Sequence, residues 1–333
     1  MGHEVHTLCA QYAYTHWKNT FTTTHLFNDT TPEGTLDYRQ LANSTMIMDE
    51  SIDIWIVGNE PNWIFKVVKE HTQKPVIWDI HDWTSLREGF TFDFEIESEK
   101  WALTHADGFI VPSEGYLKRI RGISDKPSTL VYSMVPSFLF PAKNDQKIAG
   151  IVYEGGLKGK ENGVDYNYAY RNWADFALEA VKKFPKDTFF DFYCASDTED
   201  LSIYNHPQIR CYPPEHYAHL LQKMSAYGAG LAGSPTPLRD FEDSMPNKLF
   251  ESLASGIPVI VYNAPEAQRF VESQKVGIGI RDPSEVYEAL RSLTGHKVLQ
   301  DRWGMTMESQ IPKLLALCDD ILRKRLPRRI AQI

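Results

Sequence analysis

"DSMPNKLFESLASGIPVIVYN", residues 243 to 263, is the stretch whose reading decides the fold. A loop closed by Pro246 leads into a helix, since proline suits the first helical position, where no N–H partner is lost. Ala254-Ser255-Gly256 then ends the helix, and residues 258–262 form the short apolar, β-branched run of a buried strand. A helix feeding straight into a buried strand is one arm of a parallel α/β layer.

The same alternation extends in both directions. Strands are expected at residues 4–10, 52–58, 75–80, 108–111 and 128–133, and in a second series at 148–153, 188–194, 209–212, 228–232, 258–262 and 276–280. Between strands lie amphipathic helices. In residues 172–184, Trp173, Phe176, Ala177, Ala180, Val181 and Phe184 recur at helical spacing. Strands alternating with helices imply parallel sheets covered on both faces. The polar stretch "FPAKNDQK", residues 140 to 147, separates the two series and reads as a linker. The expected division is a first domain over 1–140, a second over 148–304 and a C-terminal segment over 305–333, whose residues 311–322 read as an amphipathic helix.

Composition narrows the function classes. The chain has 333 residues and is 42% hydrophobic, enough for a large core and more typical of two domains than of one. Its 35 basic and 44 acidic side chains give a net charge of −9, which argues against broad attraction to nucleic acid. Cys9, Cys194, Cys211 and Cys318 are far apart and form no Cys-x-x-Cys pair, so neither a disulfide framework nor a zinc site is expected. The start of the chain has no basic-then-apolar leader pattern and no apolar run approaches the ~18 residues of a membrane span. The expectation is a cytoplasmic protein with reduced thiols and no metal or cofactor.

In doubly wound domains, ligands bind outside the carboxyl ends of the strands, so residues just after strands carry the first interest. Gly155 and Gly156 follow one strand, where glycine lets backbone N–H groups approach a phosphate and Lys158 or Lys160 could add charge. A Gly-Gly turn is also simply a tight connection. After the loop at 243–246, the helix N-terminus attracts anions and Lys248 adds a full positive charge. Glu251, three residues on, projects from the same face and would accept hydrogen bonds from hydroxyls, as on a ribose. The plainer reading is an exposed Lys248–Glu251 ion pair worth only ~0.5 kcal/mol.

The order Asp-x-x-Pro-Asn-Lys-x-x-Glu-x-x-Ala-x-Gly-x-Pro-Val, Asp243 to Val259, resembles the donor-binding segment of family-four glycosyltransferases, which have the GT-B fold. "HPQIRCYPPEHYAHLLQKMSAYGAGLAGS" at 206–234, "KPVIWDIHDW" at 74–83 and "ALTHADGFIVPSEGYLKRI" at 102–120 are similar to further parts of that family. The resemblance implies two doubly wound, Rossmann-like domains facing across a cleft, with the C-terminal helix packed back on the first. It implies that Asp243 contacts the transferred sugar, that Lys248 and the loop amides of Ser244, Met245, Pro246 and Asn247 hold the diphosphate, and that Glu251 binds the ribose. Pro213, in the loop after residues 209–212, would lie near the base, and His81 would face the donor sugar.

Two departures accompany it. The family's Gly-Arg after the first strand of the second domain is Gly155-Gly156 here, so Lys158, Lys160 or Arg171 would have to supply the missing charge. The opening residues 2–6 resemble a segment that in the family follows the first strand and helix, so the expectation is either that the first domain lacks both or that the natural start lies further upstream. The implied activity is sugar transfer from a nucleotide diphosphate sugar to a glycan or lipid-linked acceptor, metal-independent and with retention. His81, Asp243 and Lys248 would be catalytic; Asp82 could instead be the base of an inverting variant. A nucleotide-sugar epimerase of the same fold and a non-catalytic nucleotide-sugar-binding or partner subunit are the alternatives. Five cations in "LRKRLPRRIAQI", Arg323, Lys324, Arg325, Arg328 and Arg329, could touch anionic headgroups at the inner membrane face, although a solvated helix end is the simpler reading.

Overall fold

The structure is a computed structural model that describes residues 3–10, 23–27, 38–59, 61–86, 93–142, 148–157, 172–194, 201–293 and 302–325. The first domain contains β1 (His6–Ala10), β2 (Thr23–Phe27), α1 (Tyr38–Met48), β3 (Trp55–Gly58), α2 (Trp63–Glu70), β4 (Val76–Asp79), α3 (Asp93–His105), β5 (Gly108–Val111), α4 (Glu114–Ile123) and β6 (Ser128–Leu130). The second contains β7 (Ile148–Gly155), α5 (Ala174–Val181), β8 (Phe189–Cys194), β9 (Ile209–Tyr212), α6 (Tyr217–Met224), β10 (Tyr227–Gly233), α7 (Arg239–Asp243) and α8 (Asn247–Ala254). It closes with β11 (Val259–Tyr262), α9 (Pro265–Ser273), β12 (Gly277–Ile280) and α10 (Val286–Leu293), and α11 (Met307–Arg325) follows.

In the first domain a four-stranded parallel sheet runs in the simple order β3-β4-β5-β6, and β1 and β2 pair with each other, also in parallel. The sequence reading contained no strand at Thr23–Phe27, although its Thr-Thr-His-Leu-Phe composition is that of a strand. Alternation sorts the side chains of the four-stranded sheet. Trp55, Val57, Val76, Trp78, Phe109 and Val111 pack under α1 to α4, while Ile77 and Ile110 point to the other face. There Leu317 and Ile321 of α11 cover them, so the last described helix of the chain buries a face of the first sheet.

The second sheet has six parallel strands in the order β12-β11-β10-β7-β8-β9. Helices α5 and α10 cover one face, where Ile151, Tyr153, Phe190 and Phe192 lie. Helices α6, α8 and α9 cover the other, over Val152, Tyr193, Val259 and Val261. The order reverses between β7 and β10, whose onward connections go to opposite faces, and a crevice opens at their carboxyl ends. Of the expected linker, residues 143–147 lie outside the described residues.

Helix α8 comes unusually close to the sheet. A side-chain carbon at Gly230 of β10 would collide with Ser252 Cβ and Oγ, so glycine there sets the depth at which α8 sits. Replacing Gly230 with Val should overpack this contact and cost about 1–3 kcal/mol in equilibrium denaturation. An unchanged midpoint would mean that α8 is free to move outward.

Candidate functional site

The crevice is built around Lys248. Gly155 ends β7 with φ at +117°, a conformation that L side chains rarely adopt, and a carbon added there would stand 2.7 Å from Lys248 Nζ and 2.8 Å from its Cε. Glycine therefore lets the lysine stem lie across the strand end, with Nζ 5.4 Å from the centre of the Tyr153 ring. Gly155 and Gly156, read as a phosphate turn, thus sit directly beside the lysine read as its cation. Lys158, Lys160 and Arg171 lie outside the described residues.

Helix α8 starts at Asn247, with Pro246 in extended geometry as its capping residue, one position earlier than the sequence reading placed proline. Pro246 offers no capping side chain, and the helix N-terminus lies beside Lys248. Two of the four loop residues drop out as amide donors. Pro246 has no N–H, and the N–H of Ser244 donates to the Asp240 carbonyl at 3.1 Å, closing the last turn of α7. Met245 is buried among Leu249, Phe250 and Leu253, so its side chain belongs to the core. Asn247 is exposed at the helix start.

Glu251 faces two partners that sequence reasoning missed. Its carboxyl is hydrogen-bonded to the carboxyl of Glu154, on β7, and to the hydroxyl of Tyr217, at the start of α6. Burial and then the Glu154 charge push the Glu251 carboxyl well above the ordinary carboxylate range, against an opposing pull from Lys248. Burial and the Glu251 charge likewise raise the Tyr217 hydroxyl. Glu154 escaped notice because one glutamate in an apolar strand has no spacing signature. Pro213 is exposed after β9, in the loop that leads to Tyr217.

The remaining predicted residues lie toward the first domain. Asp243 ends α7, and its Oδ2 accepts from Arg119 Nε at 2.5 Å while its carbonyl accepts from the Ser113 hydroxyl. Tyr116 donates to the carboxylate of Asp240, and its oxygen accepts from Trp83 N at 3.2 Å. Ser113, Tyr116 and Arg119 lie on one face of α4 and its cap, at a spacing of three, and meet Asp240 and Asp243 at the same spacing on α7. Asp243, expected at the transferred sugar, is here committed to a bridge between the domains. Burial first, then the Asp240 charge, raises the Tyr116 phenol well above its ordinary value.

His81 stands at the carboxyl end of β4. Its backbone N–H donates to Asn59 Oδ1 at 2.7 Å, and its Nε2 lies 3.1 Å from Asp79 Oδ2. The hydrogen bond to Asp79 raises its pKa above 6.5, with desolvation opposing and the Asp79 and Asp82 charges assisting. Among the described residues, no group of three or more His, Cys, Asp or Glu could hold a metal ion. No described helix is long and apolar enough to cross a membrane.

Neither a protein-family model nor a curated protein matches the chain by sequence. Solved structures do match in fold. HepE from Anabaena, solved with UDP, has a TM-score of 0.63 at 12% identity over 96% of this chain and 87% of that one. A TarM variant from S. aureus, solved with fondaparinux, α-GlcNAc-glycerol and UDP, has a TM-score of 0.61 at 14% identity over 84% and 59% of the two chains. A protein from Listeria monocytogenes, assigned as a UDP-N-acetylglucosamine 2-epimerase, has 0.55 at 12% identity over 97% and 98%. The two parallel-sheet domains are those of the GT-B fold.

The His81–Asp79 pair makes a direct prediction. A raised histidine pKa stabilises the folded protein fully below the ordinary value of 6.5, and that contribution is lost as pH rises through the raised one. An NMR titration should place His81 above 6.5, and Asp79→Asn should bring it back down. A His81 midpoint that ignores the substitution would contradict the pairing.

Proposed function

We propose that this protein is a glycosyltransferase that takes a sugar from a nucleotide diphosphate sugar and passes it to a glycan or lipid-linked acceptor. One observation carries the reading. A lysine lies across a glycine strand end, at the switch point of a doubly wound sheet, beside a helix N-terminus and the half-buried carboxyl of Glu251, one helical turn on. Each part favours a nucleoside diphosphate: the helix end and Lys248 for the phosphates, Glu251 for the ribose hydroxyls. The fold likeness to HepE and TarM, both solved with UDP, supports the same ligand class.

In this reading Lys248 and the α8 N-terminus stabilise the charge that develops on the leaving diphosphate. Preorganised charge of this kind contributes most when it acts on the transition state more than on the ground state. The diphosphate, as it leaves, accepts the acceptor's proton on the same face, which accounts for retention without a metal. Gly155 and Gly156 let the phosphates approach the strand end. Met245 and Asn247 supply the loop amides that remain; Ser244 and Pro246 shape the loop. Pro213 flanks the base, and Lys158 and Arg171 are the candidates for further phosphate charge. His81, held by Asp79 and carrying a proton, is a hydrogen-bond donor for the sugar. Asp243 reaches the sugar only by exchanging Arg119 for it, so its catalytic role requires the bridge between α4 and α7 to open. Membership of family four is part of the same proposal, as is a cytoplasmic site of action with the basic C-terminal run near a membrane surface.

The likeness to the Listeria protein favours a second reading, a nucleotide-sugar epimerase. The two separate on a single incubation with UDP-, GDP- and ADP-sugars, with and without a mixture of glycan acceptors. Transfer predicts nucleotide release that rises with acceptor, whereas epimerisation converts the donor sugar without any. Lys248→Ala should weaken binding of the active nucleotide about tenfold or more, the ~1.5–3 kcal/mol of a charged hydrogen bond. Unchanged affinity would remove Lys248 from the site.

A further inference from the structure

The Glu154–Glu251 contact is unusual enough to need a reason. Two carboxyls that hydrogen-bond to each other must hold a proton between them, because two carboxylates at that range repel. Glu154 is buried on β7, and its Oε1 has no hydrogen-bond partner. An orphaned buried oxygen destabilises the fold, a cost that an apolar residue at this strand position would avoid. Among the described residues, the Glu154 carboxyl meets that of Glu251, which is held from the other side by the Tyr217 hydroxyl. The carboxyl is thus fixed by β7 on one flank and α6 on the other, one helical turn from Lys248.

We propose that Glu154 is a positioning residue for the donor nucleotide: through the proton it shares with Glu251, it holds that carboxyl where the ribose hydroxyls arrive. This rests on the donor reading above and adds a dependence on pH. With one proton in the pair, Glu154, Glu251 and Lys248 sum to zero charge, and an incoming diphosphate meets the helix N-terminus without net repulsion. The raised pKa of Glu251 means that the proton leaves as pH climbs through that value. The pair then carries two negative charges against the single charge of Lys248, Tyr217 remains neutral because its own pKa is raised, and the repelling carboxylates separate. Glu251 loses its fixed position and nucleotide affinity falls.

The test is calorimetric titration with UDP, GDP and ADP in turn, from pH 6 to pH 9, on the wild type and on Glu154→Gln. The amide keeps a hydrogen bond to Glu251 but has no proton to lose and no charge to repel. Wild-type affinity should fall by up to roughly tenfold per pH unit once the pH passes the raised pKa of Glu251, the limit for loss of one proton. The Gln variant should bind comparably at the acid end and keep its affinity at the alkaline end. Titration of the nucleotide's own phosphate is common to both proteins and cancels. Coincident pH profiles would overturn the role of Glu154 while leaving the donor reading intact. Failure of every nucleotide to bind the wild type would overturn the donor reading and this inference with it. If Glu154→Gln does not fold, Glu251→Gln removes the shared proton from the other side and must abolish the same step, at lower affinity throughout.

Discussion

Strands β7 and β10 are neighbours in one sheet, yet their chains leave it toward opposite faces, and everything at the site depends on that divergence. The reversal makes the carboxyl ends of the two strands the switch point of the sheet. Three close approaches then fill the crevice with chemistry. Gly230 lets α8 settle against β10, Gly155 lets Lys248 lie across β7, and Glu154 reaches Glu251 from the strand to the helix. A side chain at either glycine would push α8 or its lysine away from the strand ends. The geometry around Lys248 is therefore a property of the sheet's topology as much as of the charged residues on it.

The two domains are joined by polar contacts, by a returning helix and by an apolar stretch in which Met134 and Val135 are buried among Leu249 and Phe250 and against Val152 of the second domain, and these contacts differ in what they permit. Leu317 and Ile321 of α11 bury an apolar face of the first sheet, so α11 stays with the first domain whatever the second one does. The bridge from Ser113, Tyr116 and Arg119 to Asp240 and Asp243 is made of hydrogen bonds and one partly exposed ion pair. Such contacts exchange readily with water or with a ligand, and the net worth of each is about 1 kcal/mol.

Most of the fold is legible in the sequence because parallel strands and amphipathic helices leave periodic marks. Every strand from β3 to β12 falls in one of the expected strand ranges, with ends displaced by a few residues. The local part of the site is legible for a similar reason: Pro246, Lys248 and Glu251 fall within one turn-and-helix unit, so their spacing carries their geometry. What the sequence hid is long-range. Glu154 and Glu251 stand 97 positions apart in the chain and Arg119 and Asp243 stand 124 apart, and no local pattern encodes such pairs. Ser244 fails as an amide donor because α7 extends one turn further than a loop reading allows. β2 was missed because it is short and set between stretches without a helical or alternating pattern.

The central claim is that the crevice between β7, β10 and α8 holds a diphosphate. The most direct measurement is a crystal structure of the protein soaked with UDP, GDP or ADP. Phosphate oxygens are expected about 2.7–3.2 Å from Lys248 Nζ and from backbone N–H groups at the start of α8, with the ribose hydroxyls at Glu251. A nucleotide bound elsewhere on the molecule, with this crevice left to solvent, would contradict it.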